Sequence, residues 1–147
     1  MAAVRTATVT WTGDLQTGRG TVSAGTSELF TDLPVSWGSR IEAPDERTSP
    51  EELLAAAHAA CFAMAFSGAL VRAGMQPEHL HVEAVVTFDR VDEKWTVKSS
   101  HLIVIGRAAN ASEAEFAAVA EDAKDSCPIS RALAGNVELT VEPTLET

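Results

Sequence analysis

The sequence has no tyrosine, and aromatic residues make up only 5% of its 147 positions. A chain so poor in flat rings lacks stacking platforms for nucleic-acid bases. Basic residues are scarce as well: eleven Lys and Arg stand against twenty-one Asp and Glu, for a formal net charge of -10. Such a chain repels phosphate backbones and anionic lipid heads, so neither nucleic acid nor a membrane surface is an expected partner. Met1 to Thr6 lacks the apolar core of a signal peptide, and no targeting tail follows Val141. Both absences predict a cytoplasmic protein. Cysteine occurs only as Cys61 and Cys127, and without export a permanent structural disulfide is not expected. A transient, catalytic disulfide stays open.

Hydrophobic residues at 46% and charged residues at 22% are globular values, and 147 residues suit one domain over 1–147. The stretch from Leu53 to Val71 carries no formal charge. A spanning helix needs about 20 strongly apolar residues. This run is alanine-rich, is broken by Ser67 and Gly68, and lies between strand-like segments, so it predicts a helix buried inside a soluble fold.

Alternation from Val4 to Trp11 predicts a strand, with Thr21 to Ser23 as its return after glycine-marked turns. Leu33 to Arg47, with Pro34, Gly38 and Pro44 and no period, reads as a loop. Ser49-Pro50-Glu51-Glu52 opens a helix with a capping box and a proline at its first position; it should run to about Gly74. On it Leu54, Ala57, His58, Cys61, Ala65 and Gly68 share a face whose small residues invite close helix packing. A hairpin follows over about His79–Phe88 and Trp95–Ile105. A second capping box at Ser112–Glu115 opens a helix to about Lys124, Pro128 starts a short one, and Val137–Val141 alternates as a last strand. The fold class is α+β.

Cys61 lies mid-helix in apolar company, where a small buried hydrophobe is the plain expectation. Cys127 stands at the start of the short helix, where the positive dipole end can stabilise a thiolate. One buried cysteine and one at a helix start suit an attacking and a resolving thiol, although spacing alone does not bring them together. His58, three residues before Cys61, could bond the sulfur, act as a base, or be a satisfied core histidine. A zinc site from His58, Cys61 and Cys127 lacks the usual ligand spacing, so no metal is expected. His79 and His81 read as surface histidines. The capping box explains Glu52, which leaves Glu51 free for another partner; Arg40 in the upstream loop is a candidate, against its plain reading as a solvated loop charge.

Thr48-Ser49-Pro50-Glu51-Glu52-Leu53-Leu54-Ala55-Ala56-Ala57-His58-Ala59-Ala60-Cys61-Phe62-Ala63-Met64-Ala65 resembles the first cysteine motif of the OsmC/Ohr family. Asp125-Ser126-Cys127-Pro128-Ile129-Ser130-Arg131-Ala132-Leu133 resembles its second, 66 positions on. Trp11-Thr12-Gly13-Asp14, Gly18-Arg19-Gly20-Thr21-Val22-Ser23 and Ser39-Arg40-Ile41-Glu42 fit as well, so the likeness covers essentially the whole chain. Ala57-His58, where the hydroperoxide-resistance branch usually has Gly-Tyr, points to the osmotically inducible branch.

The resemblance implies an OsmC-like fold, with antiparallel sheets wrapped around long central helices in an intertwined homodimer. It also implies a thiol-dependent peroxidase without a cofactor. Cys61 would attack the peroxide, Cys127 would resolve it, and Arg40 and Glu51 would assist. An external dithiol, of the lipoyl type or thioredoxin-like, would reduce the product. Phe62, Met64 and Phe66 around Cys61, with Leu33, Val35 and Trp37 near Arg40, would favour organic hydroperoxides over hydrogen peroxide.

Helix geometry adds to this. Glu51 and Cys61 are ten residues apart, roughly 15 Å along a straight helix. For both to serve one site, the helix must break or Glu51 must come from a second subunit, and few breakers lie between them. Two other readings remain: a Cys61–His58 hydrolase, which leaves Cys127 and Arg40 without roles, and a non-enzymatic dimeric binding module with an apolar interface cavity.

Overall fold

A computed structural model describes residues 1–147, which divide into two compact units, Met1–Leu53 and Leu54–Thr147.

The first unit is a three-stranded antiparallel sheet of β1 (Ala7–Thr12), β2 (Arg19–Ala24) and β3 (Leu33–Val35), in that order, followed by the short helix α1 (Gly38–Ile41). The expected loop over Leu33–Arg47 is thus partly regular. Three residues pair with β2, from Gly20↔Val35 to Val22↔Leu33, too short a run to show a period. α1 is held by side chains: the backbone N–H of Ser36 and that of Ser39 each donate to the other residue's hydroxyl at 3.2 Å. Gly20 is required here, because a Cβ would come within 2.8 Å of the Trp11 ring. Val22 and Trp37 are the only buried apolar residues of this unit.

The helix α2 (Pro50–Arg72) begins in the first unit and runs 23 residues without a break. Its expected capping box is half formed. Ser49 Oγ accepts from the Glu52 N–H at 3.2 Å, but the Glu52 carboxylate accepts from the Thr48 hydroxyl at 3.1 Å. The box at Ser112 is complete in both arms.

In the second unit, β4 (Gln76–Val91) and β5 (Lys94–Ala109) form a long antiparallel hairpin. It turns on Asp92 and Glu93, both at positive φ, as a two-residue turn matched to strand twist requires. Then come α3 (Glu113–Ser126), α4 (Pro128–Leu133) and β6 (Glu138–Leu145). One pairing departs from the antiparallel expectation: β6 lies parallel to β5, from Ser99↔Glu138 to Gly106↔Leu145. A helical crossover joins them, as a parallel pair requires. The core of this unit is built from Phe62, Phe66 and Leu70 of α2, Leu102 and Val104 of β5, and Phe116 of α3. Phe66 meets Phe116 edge-on at 4.9 Å between centroids, and burying each large side chain contributes about 1.5–3 kcal/mol.

α2 is less covered than its sequence suggested. By length and composition it could cross a bilayer, yet only 22% of its most apolar stretch is buried within the chain. His58, Phe62, Phe66 and Leu70 mark the buried face, while Ala56, Ala60, Met64 and Val71 are exposed.

Candidate functional site

In the first unit Arg40 and Glu51 form a fork. Arg40 Nε lies 3.2 Å from each Glu51 carboxylate oxygen, and one terminal nitrogen lies 2.5 Å from Oε1. Local structure sets this meeting. Ser39 Oγ sits 2.8 Å from the Thr48 carbonyl, and the Thr48 N–H donates to the Pro34 carbonyl at 3.0 Å, so α1 is tied to the segment that enters α2. The Glu51 side chain is 10% exposed and that of Arg40 26%. The guanidinium also lies over the Trp37 ring, 5.5 Å from its centroid, within the range of a cation–π contact. The solvated loop charge is therefore not what Arg40 is. A fork of this kind fixes a guanidinium in orientation as well as position.

Arg40 is the single charged residue lining a cavity of about 390 Å³, whose apolar wall includes Trp11, Leu15, Val22, Val35 and Trp37. Leu33, expected beside Arg40, does not line it.

In the second unit, Cys61 is half-buried, Cys127 is buried, and both are free thiols. Cys127 and the backbone N–H of Ile129 stand close enough to the Cys61 thiol to shift its ionisation. The short helix thus turns a backbone donor toward Cys61, where the sequence suggested it would serve Cys127. Burial nevertheless pushes the Cys61 thiol above its ordinary pKa; the Ile129 N–H pulls the other way, and Cys127 adds to the rise. A positive charge from outside this pair would favour the thiolate of Cys61 against that burial.

His58 is not that charge. It is fully buried, with Nδ1 2.7 Å from Ser100 Oγ and Nε2 2.8 Å from Ser130 Oγ. Burial lowers its pKa, which keeps the ring neutral. It is the satisfied core histidine among the readings open from sequence. With both ring nitrogens occupied, the Cys61–His58 hydrolase and the zinc site lose their ligand or base. Sequence reasoning missed Ser100 and Ser130, which stand 42 and 72 residues from His58. Phe62 and Phe66 fill the core, while Met64 is 72% exposed and lines an open surface cleft with Ala63 and Ser67. His79 and His101 are surface residues, each paired with a carboxylate.

The first unit thus holds a guanidinium clamped by a carboxylate, and the second holds two free thiols. Residues 43–142 match the family described as OsmC-like protein. The chain is 35% identical over 129 residues to Peroxiredoxin OsmC of Escherichia coli, with 88% of this chain and 89% of that protein covered. It is 33% identical over 143 residues to the organic hydroperoxide resistance protein OhrA of Bacillus subtilis, covering 93% and 94%. The crystal structure of OhrB of Bacillus subtilis superposes with a TM-score of 0.71 at 22% identity, covering 95% of this chain and 98% of that one, and shares the fold. The chain belongs to the OsmC-like family. Glu51, Cys61 and Cys127 fall inside the matched span; Arg40 lies three residues before it.

Proposed function

We propose that the protein is a thiol-dependent peroxidase that reduces organic hydroperoxides, and hydrogen peroxide less well. The observation that carries this reading is a half-buried Cys61 thiol whose ionisation feels the buried Cys127 thiol, both of them free. The names of the relatives, a peroxiredoxin and a hydroperoxide resistance protein, support the substrate class.

The Cys61 thiolate attacks the distal peroxide oxygen, the O–O bond breaks, and the alkoxide departs to take a proton as an alcohol. Arg40 supplies the charge that keeps Cys61 ionised and offsets the developing alkoxide, with Glu51 orienting it. Cys61 is left as a sulfenic acid. The Cys127 thiol condenses with it, releasing water and forming a disulfide. An external dithiol, lipoyl-type or thioredoxin-like, returns both thiols. The apolar wall beside Arg40 supports a preference for organic peroxides.

The reading takes residues 1–147 as one OsmC-like domain working in the cytoplasm as an intertwined homodimer. Two observations support the dimer. The unbroken α2 separates Glu51 from Cys61 by ten positions, about 15 Å of rise, so one site draws Arg40 and Glu51 from one subunit and the thiols from the other. The exposed apolar face of α2 also needs a cover. Sedimentation at micromolar concentration should give twice the chain mass; a monomer would remove this part.

The test of the chemistry mixes reduced protein with one equivalent of cumene hydroperoxide or of hydrogen peroxide, following free thiols and intact mass. Both thiols should vanish together, faster with the organic peroxide, and Cys127→Ala should stall at a Cys61 sulfenic acid. Survival of both thiols would leave a binding module instead.

A further inference from the structure

Three buried polar side chains of the second unit have no part in the reaction just proposed. His58 stands on α2, three residues before Cys61. Its ring joins Ser100 on β5 at 2.7 Å to Ser130 on α4 at 2.8 Å, and all three residues are at most 1% exposed. A buried polar network is tolerable only when each member is satisfied, and no buried side-chain nitrogen or oxygen here lacks a partner.

The network also has a direction. Ser130 directly follows Ile129, whose N–H favours the ionised Cys61 sulfur, and stands three residues after Cys127. The His58–Ser130 bond therefore ties α2 to α4 one residue away from the backbone group that acts on Cys61. A neutral imidazole accepts at one nitrogen and donates at the other, so it can fix a helix without placing a charge beside the sulfur. On the far side Ser100 anchors the ring to β5, the central strand of its sheet.

We propose that His58, acting through Ser130, is a positioning residue for the thiol chemistry: it holds the start of α4 so that the Ile129 N–H stays beside the Cys61 sulfur and Cys127 stays within reach of an oxidised Cys61. The second half of this statement rests on the peroxidase reading; the first does not.

The experiment compares the full-length protein with His58→Gln, His58→Asn and Ser130→Ala, each checked by circular dichroism and thermal melting. A glutamine amide sits close to the position of Nε2 and an asparagine amide close to that of Nδ1. Glutamine therefore keeps the bond to Ser130, and asparagine keeps the one to Ser100. Two rates are read for each: alkylation of Cys61 by iodoacetamide, located by peptide mass, and disulfide formation after one equivalent of cumene hydroperoxide. The loss of one buried hydrogen bond should slow His58→Asn and Ser130→Ala about tenfold in both rates, while His58→Gln stays within about threefold of the parent. Parent-like rates in His58→Asn and Ser130→Ala, or equal losses in His58→Gln and His58→Asn, would overturn the proposal. If His58→Asn does not fold, Ser130→Ala decides alone, since it removes a single hydroxyl. If the parent is alkylated but forms no disulfide, the peroxidase reading has failed and the alkylation series still judges His58.

Discussion

The two units divide the chemistry unevenly. The first, Met1–Leu53, holds the cation of the candidate site and almost no core; Val22 and Trp37 are its whole buried apolar complement. The second holds both thiols, a neutral histidine and a dense core of aromatic and aliphatic side chains. Around Cys61 burial and Cys127 disfavour the charge and only the Ile129 N–H opposes them, while the cation proposed to favour it stands on the part of the chain with least core. On the proposed mechanism, stability and activation fall to different stretches of sequence, so each can be perturbed with limited damage to the other.

The strongest way to break this division is through the core. Phe66→Ala should lower unfolding free energy by about 3–5 kcal/mol, measured by chemical denaturation. Leu15→Ala, at a position 54% exposed, should stay within about 0.5 kcal/mol of the parent. Next comes the cation. Arg40→Ala should slow peroxide consumption about 10²- to 10³-fold and move its pH midpoint upward, because only the Ile129 N–H then opposes the effect of burial on the Cys61 thiol. An unmoved pH profile would show that Arg40 does not supply the charge. Glu51→Gln should cost less, about tenfold, since the guanidinium keeps its charge and loses only its fork. Far-ultraviolet circular dichroism should be unchanged in both variants.

The smallest effect concerns His58. Its native pKa lies below the ordinary value of 6.5 because of burial. As pH falls through 6.5 the unfolded chain takes up a proton that the native ring refuses. Stability is therefore fully present above about pH 7 and declines on acidification by at most about 1.4 kcal/mol per pH unit for this group. Urea titrations of the parent and of His58→Gln should differ in slope over that window, and parallel curves would remove His58 from the acid response.

Much of this architecture could be read from residue patterns. The capping serines, Pro50 and the alternation through β4 and β5 each act over a few neighbouring residues, and such signals survive in sequence. α1 and β3 did not show, because four and three residues are too few for a period and because Ser36, Ser39 and Thr48 hold them by specific bonds. The parallel direction of β6 was hidden for another reason: alternation marks the faces of a strand and carries no sign of its direction. In the site, residue patterns singled out Cys61, Cys127 and a possible Arg40–Glu51 pair, the resemblance gave them roles, and the structure supplied the geometry of the fork. Ser100 and Ser130 left no trace, since a buried hydroxyl that meets a ring 42 or 72 residues away looks like any other serine.

The parallel β5–β6 pairing bears on the order in which a new chain matures. The β4–β5 hairpin closes over a two-residue turn, whereas Ser99 meets Glu138 across 39 residues, a slow closure by comparison. Cys127 rides on that late segment, and Cys61 is synthesised well before it. On the proposed mechanism, a nascent chain that meets an oxidant before the crossover docks would hold a sulfenic acid with no thiol to condense with, and would drift toward irreversible oxidation. Competence to recycle would then come last, with the docking of the segment that carries Cys127.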